Sequence, residues 1–211
     1  MKRPRRTKVS YENLTIIGVP KKFHHSTLED FEVDDDPYSL GSVKSFFADY
    51  LKDLPKVFEE NRGILLFGSN GVGKTFLASL VVKEAYMCRY TARRSTFLEY
   101  MTAYTRMWNP SSSSEKDALE EELYQKYKAV EFLVLEELGK EVDSKAAAPI
   151  LEDLLRYRED RGLVTIICTN LKTKIILERY GDSVFSLMKG NMTPILIEGK
   201  DKREEYFNKE W

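Results

Sequence analysis

Cysteine is scarce in this sequence. Cys88 and Cys168 are the only two, far apart and in no metal-ligand spacing, which excludes a disulfide framework and a structural zinc site. Cys168 lies inside an apolar run, where a buried thiol is expected. No stretch approaches the ~20 apolar residues that span a bilayer. The charged N-terminus has no apolar stretch behind it, so a secretory signal is not expected either. An excess of one charge is also missing: Lys and Arg total 33, Asp and Glu 34, and the net charge is -1. The chain is no polycation, so any nucleic-acid surface has to be a local patch. There is no internal repeat and no long linker. The expected setting is the cytoplasm, without membrane attachment.

What is present suits one α/β domain. The 211 residues are 42% hydrophobic and 32% charged, enough for a core without staples under a well-solvated surface. Residues 1–20 read as a basic flexible N-terminal arm carrying Lys2, Arg3, Arg5, Arg6 and Lys8. Residues 21–60 read as a lead-in segment with a helix. Ser26 is expected to cap a short turn, with Glu29 completing a capping box, and Asp34 to Pro37 is expected to form a turn or helix start. Val43, Phe46, Phe47, Tyr50, Leu51 and Leu54 have helical spacing, which predicts a helix over 42–58.

From residue 61 to 211 the pattern alternates. Strands are expected at 63–67, 96–98, 130–135, 163–169 and 194–197. Helices are expected at 76–90, 100–108, about 115–128 and 146–158, with one or two short ones over 175–188 broken at Gly181. Such alternation argues for a central parallel sheet covered on both faces. Ligands bind such sheets at the carboxyl ends of the strands.

One motif sits at such an end. Gly68-Ser69-Asn70-Gly71-Val72-Gly73-Lys74-Thr75 fits the full G-x-x-x-x-G-K-[ST] pattern between an expected strand and a helix that includes Phe76. Glycines let amide N–H groups approach phosphate closely. The helix start offers free N–H groups and a positive dipole end. Lys74 supplies a cation for the β- and γ-phosphates, and the Thr75 hydroxyl is a magnesium ligand. A second apolar strand ends in Glu136 and Glu137. Beside a phosphate loop, the first carboxylate is expected to hold magnesium and the second to polarise the attacking water. A third strand ends in Thr169-Asn170, where Asn170 is placed to hydrogen-bond the water or the γ-phosphate.

Contacts with single-stranded DNA are sought on Arg93, Arg94, Tyr104, Arg106 and Trp108. Tyr100, Tyr104 and Trp108 repeat at i, i+4 and i+8, and aromatic stacking with phosphate contacts is how single strands are held. The competing expectation is that this stripe packs on the sheet. Lys172 and Lys174 form a second, small basic candidate.

These segments, in this order and spacing, resemble the AAA+ ATPases of the bacterial helicase-loader and transposition-helper group (DnaC-like and IstB-like proteins). The resemblance runs from about Val19 to Arg203. It takes in Val19-Pro20-Lys21-Lys22-Phe23, the phosphate loop, Glu136-Glu137-Leu138-Gly139-Lys140-Glu141, Ile167-Cys168-Thr169-Asn170 and Arg179-Tyr180-Gly181-Asp182. It implies a three-layer αβα P-loop NTPase fold, here with a reduced or absent lid domain and without the group's longer N-terminal partner-binding domain. It implies ATP with Mg2+, a homo-oligomer with ATP at subunit interfaces, and single-stranded DNA. The implied partner is a replicative DNA helicase or a transposase. Three departures stand out. Glu136 occupies a position where the group usually has Asp, and its extra methylene carries the carboxylate about 1.5 Å further. Leu187 falls where a trans-acting arginine is often found, leaving Arg179 or Lys189 as substitutes. Arg203 reads either as a late sensor arginine or as surface charge. Slow hydrolysis, or an ATP-dependent assembly role, follows from the first departure.

Overall fold

A computed structural model describes residues 5–6, 9–33, 39–141 and 146–202. Lys2, Arg3, Lys8, the Asp34–Pro37 stretch and Arg203 lie outside the described residues. Five strands form one sheet: β1 (Gly63–Phe67), β2 (Ala92–Thr96), β3 (Phe132–Leu138), β4 (Val164–Thr169) and β5 (Met192–Leu196), in the order β2-β3-β4-β1-β5. Every pairing is parallel.

Alternation along the buried strands sorts their side chains to two faces. Ile64, Leu66, Phe132, Val134, Ile166 and Cys168 point to one core. There they meet α2 (Leu40–Lys52), α3 (Leu54–Glu59) and α4 (Lys74–Met87) through Phe47, Leu54, Leu77 and Val81. Leu65, Leu133, Leu135 and Ile167 point to the other. There they meet α5 (Phe97–Arg106), α6 (Ser113–Leu123), α7 (Ala147–Glu159) and α8 (Thr173–Asn191) through Tyr100, Leu123, Leu154 and Val184. The three αβα layers are therefore those the alternation predicts. Among the described residues no helix is long and apolar enough to cross a membrane.

Four local expectations are corrected. The helix expected over 42–58 is two helices, because Asp53 leaves helical angles and accepts from the Lys56 N–H, and Pro55 starts α3. The short turn at Leu28–Asp30 is capped by Thr27 with Asp30, one residue past the Ser26–Glu29 pair. The second strand covers Ala92–Thr96, and Phe97 already opens α5, whose N-cap is Thr96. The segment read as a flexible arm includes helix α1 (Tyr11–Ile16). Ahead of it, Arg5 pairs with Glu84, and Arg6 donates to the Tyr86 carbonyl at the end of α4, where cations complement the helix dipole.

Candidate nucleotide site

The register brings the carboxyl ends of three neighbouring strands together. Phe67 of β1 and Leu138 of β3 both lie opposite Thr169 of β4. The phosphate loop, the acidic end of β3 and Asn170 therefore open onto one cavity of about 670 Å³. Lys74, Thr75, Phe76, Glu136, Glu137 and Asn170 all line it.

The loop has the backbone the motif requires. Gly73 has φ +104°, and a Cβ there would lie 2.9 Å from the Phe31 ring; only glycine combines this angle with this closeness. As N-cap of α4, Gly73 has no side chain to occupy the amides of the first turn, which stay available to an anion. Lys74 Nζ donates to the carbonyls of Gly68 at 2.8 Å and Ser69 at 2.5 Å, so its ammonium already sits over the loop. Ser69, Asn70, Gly71 and Val72 form the turn between, and Val72 is buried beneath it.

At the end of β3 the chain carries one extra residue. Leu135 faces Ile167 and Leu138 faces Thr169, so three steps on β3 match two on β4. Glu137 takes up the bulge with φ +61°, an uncommon angle for a residue with a Cβ. The bulge sends consecutive carboxylates to different places. Glu136 is buried, and its Oε2 accepts from the Arg94 guanidinium of β2. Its Oε1 is buried without a hydrogen-bond partner among the described residues. Glu137 is exposed and pairs with Lys140 at 2.7 Å.

The donor chemistry would suit a magnesium ion. Thr75 and Glu136 both line the cavity, and the Thr75 hydroxyl and the unpartnered Glu136 Oε1 are hard oxygen donors. No cluster of three or more His, Cys, Asp or Glu side chains suited to a metal occurs among the described residues. An ion here would therefore take its other oxygens from phosphate and water. Cys168, beside the same wall, is fully buried; burial and the neighbouring Glu136 charge push its thiol well above the ordinary range.

Asn170 Nδ2 donates to Asn70 Oδ1 at 2.7 Å, tying β4 to the phosphate loop. Arg179 is placed otherwise than expected for a residue acting on a neighbouring subunit. Its guanidinium donates to the carbonyls of Gly139 (3.1 Å) and Glu141 (2.7 Å) of its own chain. It also pairs with the Glu141 carboxylate at 3.0 Å. Glu141 is buried and accepts as well from Tyr180 Oη and, at 2.9 Å, from the Gly139 N–H. This cluster latches the loop after β3 onto α8.

The residues sought for DNA separate. Arg94 is committed inside the fold to Glu136 and, at 2.9 Å, to the Gly18 carbonyl, so its guanidinium is engaged within its own chain. Arg93 lies over the Tyr127 ring. Tyr100 is core and Tyr104 is half-buried, whereas Arg106 and Trp108 are exposed, as are Lys172 and Lys174 of the second basic candidate. Trp108, at 57% exposure, continues the ring contacts of Tyr104 into solvent.

Other cavity residues had no expected role in the site. Phe23, Phe31 and Lys22 come from the lead-in segment, and Lys202 from the end of the described chain. Phe23 and Phe31 both pack on Phe76, the residue after the phosphate loop. Lys83 of α4 holds the segment down through the carbonyls of His24 and Ser26. These contacts join residues dozens of positions apart, so no local spacing announces them.

Comparison with known proteins agrees with this fold. The solved DnaC helicase loader superposes with a TM-score of 0.70 at 19% identity, over 84% of this chain and 99% of that one. A putative primosome component from Streptococcus pyogenes serotype M3 gives 0.67 at 19% identity, over 92% and 100%. The replication initiator DnaA bound to AMPPCP and single-stranded DNA gives 0.67 at 18% identity, over 90% of this chain and 56% of that one. At these identities the likeness is one of fold. No curated protein matches the chain in sequence. The profile of the IstB-like ATP binding proteins matches residues 5–187, most of the sequence, and the chain belongs to that family.

Proposed function

We propose that the protein hydrolyses ATP and uses the cycle to load a replicative helicase onto single-stranded DNA during DNA replication. The observation that carries the chemical half is the single cavity on which Lys74, Thr75, Glu136, Glu137 and Asn170 converge. In this reading the amides at the start of α4 and the Lys74 ammonium take the β- and γ-phosphates. Thr75 and Glu136 hold magnesium, which neutralises charge developing between those phosphates. Glu137 orients and polarises the attacking water, and Asn170 fixes that water from the β4 side. The Lys140 partner does not bar Glu137 from this role, because an exposed pair is worth at most about 1 kcal/mol. Arg179 serves in cis by holding the Gly139–Glu141 stretch, so the oligomer's trans-acting cation has to come from elsewhere.

The loader half is supported by the likeness of fold to the DnaC helicase loader over nearly all of that chain. Arg106 and Trp108 are the residues on this surface best placed to meet a single strand. A second reading, an ATP-dependent helper of a transposase, is favoured by the family profile itself. One pair of measurements separates the two. ATP turnover is measured with single-stranded and with duplex DNA, and proteins captured on the full chain from its host are probed for a replicative helicase. Stimulation by single strands with helicase capture is the expected result. Stimulation by duplex alone, with no helicase captured, would replace the loader by the transposition helper.

A further inference from the structure

The arginine on β2 has no place in the phosphate chemistry above, yet it touches the carboxylate that matters most for the metal. We infer that Arg94 is a positioning residue that fixes Glu136 so that one oxygen alone faces the magnesium. The inference rests on the magnesium-ATP reading of the cavity.

Glu136 reaches further than a shorter acid would and has one more rotatable bond. Left to itself, such a carboxylate would swing between rotamers. Arg94 prevents this. Its Nη2 binds Glu136 Oε2 and leaves Oε1, which is buried and has no hydrogen-bond partner among the described residues, for the ion. The guanidinium is itself held: Nη1 donates to the Gly18 carbonyl at 2.9 Å, and the Arg94 N–H donates to the Ile17 carbonyl at 2.8 Å. Gly18 has φ +90°, and any Cβ there would overlap the Arg94 carbonyl oxygen. The turn after α1 therefore closes directly on the arginine that sets the metal-side carboxylate.

The test is the magnesium dependence of binding of a fluorescent ATP analogue to the chain. In Arg94→Met the half-saturating magnesium concentration should rise about 10- to 100-fold, as for lost partners of metal ligands. Arg94→Lys should lie between Arg94→Met and wild type, because it restores the charge without the fork. The double variant Arg94→Met with Glu136→Gln removes the lone buried charge, keeping the proposal testable if the single variant folds poorly. Its magnesium midpoint should equal that of Glu136→Gln alone, because Arg94 acts through that carboxylate. A midpoint in Arg94→Met that equals wild type or is lower, or a double variant raised well beyond Glu136→Gln, overturns the inference while leaving the ATP site intact. A wild-type chain that binds the analogue without any magnesium dependence overturns the underlying reading, and the inference with it.

Discussion

Lys74 and Glu137 divide the proposed chemistry between binding and turnover, and each gives a separate expectation. The Lys74 ammonium is placed over the loop by two carbonyls of that same loop. A charge-assisted hydrogen bond contributes about 1.5–3 kcal/mol, so Lys74→Ala should weaken ATP by roughly 10- to 150-fold. The substitution also removes both hydrogen bonds to the loop, so the melting temperature without nucleotide should fall slightly. Isothermal titration checks the first, and unaltered affinity would remove the phosphate site. Glu137→Gln should keep nucleotide affinity and lower turnover by about 10²- to 10⁴-fold, the usual contribution of a general base. Single-turnover kinetics checks it. Normal turnover in Glu137→Gln would transfer the base role away from that residue.

At the scale of elements, a buried arginine joins three of them. Arg158 of α7 is fully buried, and burial pushes its pKa down to about 9, so it stays charged at neutral pH. It donates to the Thr165 hydroxyl and to the carbonyls of Tyr127, Lys128, Val130 and Val164. None of these partners is a carboxylate. The guanidinium gathers carbonyls left over where the π turn Tyr124–Lys128 ends α6 and where β4 begins. Arg158→Met should therefore cost at least ~3 kcal/mol, since several buried acceptors lose their donor at once; the urea midpoint reads it. Arg158→Lys should recover only part, because one ammonium cannot fan out over five acceptors. No sequence pattern marks this residue, because its partners come from two other segments, 127–130 and 164–165. Strand β1, by contrast, is legible to the residue, as an apolar run stopped by Gly68. Strand β2 is not. Two arginines in a row look like surface, and the partner that lets Arg94 lie within a strand is Glu136, 42 positions later. The phosphate loop, the acidic pair and Asn170 were readable because short local motifs carry them. The walls supplied by Phe23, Phe31 and Lys202 were not, because only the folded chain brings them near.

Taken as a whole, the molecule closes its cavity with parts from both ends of the described chain. Lys22, Phe23 and Phe31 come from the lead-in segment, and Lys202 from beyond β5; Lys202 also pairs with Glu32 at 3.3 Å and donates its N–H to the Gly71 carbonyl at 3.3 Å. Both stretches lie on the phosphate loop. Neither is a strand of the sheet, so each rests on a small set of contacts that a bound nucleotide would reinforce. A nucleotide in the cavity would therefore act on more than the phosphate loop: it would tie the lead-in segment and the 197–202 stretch to the core. Linkage sets the size of the effect. At a ligand concentration ~100 times the dissociation constant, the native state gains about 2.7 kcal/mol. For a domain of this length that corresponds to a melting temperature higher by roughly 5–10 °C. The gain should be accompanied by slower hydrogen exchange at 21–33 and 197–202 as well as in the loop itself. In Lys74→Ala both effects should shrink together at the same nucleotide concentration. Protection confined to the phosphate loop, with the two outlying stretches exchanging as before, would show that they stand beside the site without responding to it.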